Sequence, residues 1–177
     1  MRVRGRLASA GRIARGANRT GQSLQQPWLA QDQLAQRLAV SDLDWSAVDV
    51  DARFPAIWAR RDNYLAQLSN LQRSIAHGDF SVGNLHTDEA GVIALDWATL
   101  GSSPVGFDLA HLALSTQAES LLPVYLDGLN GQFDADHVER GYRTAVCLVG
   151  ASRAHWMATR SKALPPTYAD FIAGHQL

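Results

Sequence analysis

The residues able to do chemistry stand close together in the middle of the chain. In order they read His77-Gly78-Asp79, four residues, Asn84, a turn-rich stretch, Leu95-Asp96-Trp97, a Gly/Pro loop, then Asp108-Leu109-Ala110. An amide oxygen and a carboxylate that converge make two hard oxygen ligands, and Asn84 and Asp96 are residues of those types. Mg2+ takes such ligands at about 2.0–2.1 Å, keeps several waters and adds substrate phosphate oxygens. Asp79 lies five residues before Asn84 across a loop containing Gly83. From there it would face the same spot without being a ligand, and accept a proton from a hydroxyl. Each residue alone has a plainer reading: a loop aspartate is usually a turn or cap residue, and a single histidine a hydrogen-bonded packing residue. The conjunction is what points to chemistry.

Short elements must bring these residues together. Residues 85–87 and 92–95 read as the two strands of a hairpin, with Asp88-Glu89-Ala90-Gly91 as turn residues. Pairing Thr87 with Ile93 and continuing outward sets Asn84 beside Asp96, on strands about 4.8 Å apart. Ser74-Ile75-Ala76 is a short apolar step before the His77 loop, and 100–106 reads as loop from its Gly, Ser and Pro content. Upstream, Pro27 opens a helix over 27–39, 41–50 is a turn-rich link, and 51–69 carries Phe54, Ile57, Trp58, Leu65 and Leu68 at helical spacing. Downstream the pattern is helical. Asp108 caps 109–116, a second helix covers 119–129, and a third starts at Asp136 with Glu139 completing a capping box. That helix ends before Pro165-Pro166, and a short one follows over 167–173. The fold class is α+β, mainly helical, with one small sheet carrying the chemistry.

A chain of 177 residues that is 46% hydrophobic and 19% charged is one domain or one lobe. No apolar run reaches the roughly 18 residues a membrane span needs. Cys147 is the only cysteine, which rules out an intrachain disulfide and a thiolate metal cage and fits the cytoplasm. The first 31 residues hold six arginines and no acid, which leaves ten bases against seventeen acids in the remainder. An acidic body argues against nucleic acid as a partner, and the basic segment 1–26 reads as a solvated end. Residues 16–23 have the spacing of a phosphate-binding loop, but Gln22 stands where its lysine belongs and no apolar strand precedes it. The single lysine is Lys162.

The stretch Ala76-His77-Gly78-Asp79-Phe80-Ser81-Val82-Gly83-Asn84-Leu85 resembles the catalytic loop of the aminoglycoside phosphotransferase and choline kinase-like family. Ile93-Ala94-Leu95-Asp96-Trp97 resembles its metal-binding strand, and 101–110 the loop and helix start that follow. The resemblance is strongest over 75–112. It implies a protein-kinase-like fold and transfer of the γ-phosphate of ATP or GTP to a small-molecule hydroxyl with Mg2+. It also implies Asp79 as catalytic base, Asn84 and Asp96 as metal ligands, and His77 and Asp108 as braces of the loop backbone. Residues 27–177 would be the C-terminal lobe, with the catalytic loop at 75–85, the metal strand and loop at 92–108, and a helical tail at 109–177.

Two departures stand out. Val82 occupies a position where the family often has proline. The family's N-terminal lobe, with its phosphate-gripping lysine, is not found: no lysine precedes Asp79, and Gly5, Gly11, Gly16 and Gly21 do not form G-x-G-x-x-G. Such a lobe needs about 60–70 residues, and much of the chain before His77 already reads as C-terminal-lobe helix. Three readings stay open: a fragment, a lobe completed by another chain, or a non-catalytic relative that binds a partner. An uncovered lobe face would be apolar and prone to self-association. A rival reading is a metal-dependent hydrolase using His77, Asp79, His86 and Asp96, with Zn2+ or Mn2+. Asp32, Asp127, Asp134 and Glu139 are candidate contacts for a cationic acceptor, although a solvated acidic face is by far the plainer account of them.

Overall fold

The computed structural model describes Leu38, 42–89 and 91–177. The basic segment, the 16–23 stretch, Asp32 and the helix expected over 27–39 lie outside the described residues, apart from Leu38, which is helical and buried. Along the described chain run α1 (Arg53–Ala59), α2 (Arg61–Ser69), β1 (Arg73–Ala76), β2 (Leu85–Asp88), β3 (Gly91–Ala94), β4 (Gly101–Pro104), α3 (Phe107–Thr116), α4 (Leu121–Leu129), α5 (Ala135–Ala158) and α6 (Tyr168–Ala173). Single 3-10 turns occupy Trp45–Ala47, Val82–Asn84 and Trp97–Thr99. No helix among the described residues is long and apolar enough to cross a membrane.

α5 is the platform. Its Tyr142, Val146 and Ala151 are buried in one core with Phe54 and Ile57 of α1, Tyr64 of α2, Leu109 and Ala113 of α3 and Ile172 of α6, while its Val138 packs with Val105 and Leu129 in a second, smaller cluster. Each large apolar side chain so covered contributes about 1.5–3 kcal/mol, so this helix anchors everything around it. It begins two residues earlier than the capping-box pattern implied. Asp134 is the N-cap, its Oδ1 accepting from the His137 N–H at 3.0 Å, while Glu139 pairs with Arg143 one turn on. Competition between two nearby aspartates decides the cap, and a one-letter pattern cannot rank them. The helix ends at Ala158 and the chain turns away through Ser161 (φ 51), with the Lys162 N–H donated to Met157 O and the Ser161 N–H to Ala158 O.

The helix expected over 51–69 is two helices, interrupted at Arg60, where a 3-10 bond to Ile57 O closes the first. The interruption leaves Phe54, Ile57, Trp58, Tyr64 and Leu68 within an arc of roughly 120° at 100° per residue, so periodicity alone does not reveal it.

Two two-stranded sheets replace the single sheet expected. The segment 100–106, read as loop, contains β4, which pairs antiparallel with β1: Arg73 with Pro104, Ile75 with Ser102, Ala76 with Gly101. Its composition disguises it, because a long-range partner rather than strand propensity holds it extended. The β2–β3 hairpin forms, but one residue out of the expected register. His86 faces Ile93, Thr87 faces Val92, and Asp88 and Gly91 close the turn, with Asp88 Oδ1 accepting from the Gly91 N–H at 3.0 Å. That turn bond shortens the loop. Asn84 therefore pairs with Leu95, whose N–H it accepts at 2.8 Å, and not with Asp96.

Candidate functional site

The site is built outward from the start of α3. Gly106 (φ 92) precedes this helix in a conformation that favours glycine, and a Cβ there would fall 2.5 Å from Val138 O and 2.8 Å from Tyr142 N. At Gly141 a Cβ would strike Val105 O. Backbone thus touches backbone where α3 leaves α5.

Asp108 sits in the first turn of α3, not at its cap. Its carboxylate points away from its own helix: Oδ2 accepts from the His77 N–H at 2.7 Å and Oδ1 from the Gly78 N–H at 2.9 Å. Burial pushes this carboxyl up, against the opposing effect of those two N–H groups. His77 is buried and both ring nitrogens are engaged. Nδ1 takes the Asp79 N–H at 3.3 Å, so Nε2 carries the proton and donates it to Leu95 O at 2.7 Å. Thr99 Oγ1 donates to His77 O at 2.8 Å. Gly78 (φ 84) completes the turn, and a Cβ there would strike Thr99 O. The loop is held at both ends of this short run, with Phe80 and Trp97 packed on the His77 ring.

Asp79 emerges from that frame half-exposed, with its side chain 45% accessible. Asn84 Nδ2 donates to Asp79 O at 2.9 Å and to Asp79 Oδ2 at 3.1 Å. Asp79 Oδ1 lies 3.4 Å from His111 Nδ1. The His111 contact holds the Asp79 carboxyl below the usual carboxylate range against the opposing effect of partial burial, with Asn84 and the Arg153 charge adding to it. The group is ionised at neutral pH.

Asp96 follows Leu95 in a left-handed conformation (φ 57), which aspartate tolerates, and is exposed. Among the described residues no hydrogen bond or ion pair engages its carboxylate. Both amide donations of Asn84 go to Asp79, and among the described residues no hydrogen bond is made to its amide oxygen. An amide oxygen and a carboxylate are hard-oxygen donors of the kind Mg2+ takes, with water and phosphate completing its shell. The His77–Asp79–His86–Asp96 arrangement is not formed. The His77 ring is committed on both sides, and no group of three or more His, Cys, Asp or Glu residues placed to hold a metal occurs among the described residues. The acidic candidates also scatter: Asp134 is a helix cap, Glu139 pairs with Arg143, and Asp127 stands exposed on α4.

Sequence reasoning missed His111 and Ser115. Asp108, His111 and Ser115 follow i, i+3, i+7 spacing on one face of α3. They meet the loop in order: Asp108 at 77 and 78, His111 at 79, and Ser115 Oγ accepting the Val82 N–H at 3.3 Å. The polar stripe was visible in the sequence, but its meaning depends on which loop lies across it. Val82 departs from the family's frequent proline, and its N–H is used in a bond that proline could not make. Val82 itself and, on and after the hairpin, Ile93, Leu95 and Trp97 are exposed apolar side chains.

The model of the phosphotransferase enzyme family, APH, matches residues 3–143. No curated protein sequence matches the chain. Among solved structures it is similar to the amicoumacin kinase hAmiN in complex with AMP-PNP, Ca2+ and Ami, at 16% identity, a TM-score of 0.55 and coverage of 97% of this chain and 56% of that one. It is similar also to a choline/ethanolamine kinase family protein from Mesorhizobium loti, at 16% identity, a TM-score of 0.59 and coverage of 97% and 61%. The chain thus spans less than two thirds of either structure, and at these identities the likeness is one of fold: kinase-like, mainly helical, with small sheets.

Proposed function

The chain belongs to the phosphotransferase enzyme family, and from that premise we propose that it moves the γ-phosphate of ATP or GTP onto the hydroxyl of a small molecule. The observation that supports this most is the Asp79–Asn84 contact, held at the end of the Asp108 clamp. Asp79 is the base. Its ionised carboxylate orients the acceptor hydroxyl and takes its proton as the new O–P bond forms and the β–γ bridging O–P bond breaks. In a loose transition state little bond to the nucleophile has formed, so aim matters more than basicity, and a lowered pKa suits the role. Asn84 and Asp96 are the residues that would hold Mg2+, which when bound neutralises charge on the transferring phosphoryl group. His77 and Asp108 keep the loop in shape.

On this reading 27–177 are the C-terminal lobe of the kinase-like fold, acting in the cytoplasm, and the cation that grips the α/β-phosphates comes from outside it. No lysine precedes Asp79. That same fact favours a second reading, a lobe that binds nucleotide or a partner without transfer. A steady-state assay with Mg·ATP, run beside calorimetry, separates the two. Asp79→Asn is expected to lower turnover about 10²- to 10⁴-fold while nucleotide binding persists. Full turnover in Asp79→Ala would sink the assignment, and nucleotide binding with no turnover in the unaltered chain selects the second reading.

A further inference from the structure

We infer that His111 is the positioning residue that aims Asp79, with Arg153 behind it; the inference rests on the phosphoryl-transfer reading above. His111 Nδ1 stands between two groups of opposite hydrogen-bonding character. Asp79 Oδ1, 3.4 Å away, can only accept, and Arg153 Nη2, 3.5 Å away, can only donate. One nitrogen cannot serve both. With Nδ1 bare, its lone pair would face an ionised carboxylate at a ring that is only 7% exposed, which is costly. With Nδ1 protonated, the N–H is donated to Asp79 and Arg153 supplies positive charge from behind. Asp108, which also faces the ring electrostatically, is held away by its own bonds to His77 and Gly78.

The consequence for Asp79 is geometric. Rotation of a carboxylate about its last torsion is soft and broad. Asn84 holds Oδ2 and His111 holds Oδ1, so a swing of the carboxylate breaks both contacts. The ring is fixed in turn by α3, which carries it, and by Phe107, packed edge-on at 4.9 Å between centroids. A catalytic group misaimed by about 1 Å can lose 10²-fold in rate, which is the scale at stake.

Two measurements on the full chain test this. Ring 15N shifts should report a protonated Nδ1 on His111 at neutral pH, and that signature should vanish in Asp79→Ala. A bare Nδ1, or a shift indifferent to Asp79, overturns the pairing. In Mg·ATP turnover with water as the acceptor, His111→Leu should lower kcat about tenfold to a hundredfold with nucleotide KM within about twofold. His111→Asn, whose amide nitrogen reaches the Nδ1 position, should recover most of the loss. Turnover unchanged in His111→Leu, or equal loss in both variants despite native melting curves, overturns the positioning role alone. A wild-type chain with no turnover overturns that role together with the transfer reading, and the ring shifts still decide whether the pairing exists.

Discussion

The 77–85 loop has two flanks that differ in kind. On the α3 side, three helix residues meet it in sequence, much of the contact surface is buried, and the polar groups are paired. On the hairpin side, Ile93, Leu95 and Trp97 stand exposed and the Asp96 carboxylate has no protein partner among the described residues. One flank is finished by the fold, whereas on the proposed function the other would be finished by ligands. The difference separates two jobs. Aiming a base needs preorganisation, while holding a metal and its phosphates needs open coordination positions.

Substitutions on each flank should therefore fail in different ways. The largest effect is expected from Asp108→Ala, which strands the His77 and Gly78 N–H groups. At about 1–3 kcal/mol for each unsatisfied donor, the chemical-denaturation midpoint should fall markedly and activity should go with it. A midpoint close to wild type would break the comparison on its finished side. Gly78→Ala comes next: a left-handed alanine pressed on Thr99 should cost about 1–3 kcal/mol by thermal unfolding. Asp96→Asn should do the reverse. Asparagine accepts the same backbone conformation, so stability should shift by no more than about 0.5 kcal/mol, while Mg2+-dependent nucleotide binding measured by calorimetry should weaken. Equal losses of stability at Asp96 and Asp108 would erase the distinction.

The smallest effect lies far from the loop and serves as its control. Arg53 holds the Asp51 carboxyl down at about 2. A folded-state value below the unfolded one stabilises above the unfolded pKa, near 4, and that contribution fades as pH falls through 2. Both side chains are more than a third exposed, so screening weakens the pair. Asp51→Asn should lower Tm by about 1–2 °C at pH 7 and by nothing measurable at pH 2, with turnover untouched.

Much of this was legible in the amino-acid order, and the misses share a cause. Helices with strong apolar periodicity read well, as at 135–158, although the choice of cap there did not. The hairpin read well too, because its turn residues are local, but its register depended on one side-chain bond, Asp88 to Gly91, and slipped by a residue. β4 was missed because its partner is β1, some thirty positions away. His111 was missed for the same reason: an apolar helix containing a histidine looks like core until the loop that crosses it is known. The motif residues themselves could be picked out in order, but the couplings among them could not, since each is a long-range contact.

The glycine pair at the root of α3 has a further consequence. Gly106 and Gly141 let main chain rest on main chain where the helix leaves α5, with no side chain between them to roll or slide. A joint of that kind is a weld and not a hinge. On the proposed function, a joint so fixed would leave Asp79 still while any movement falls to other parts of the molecule.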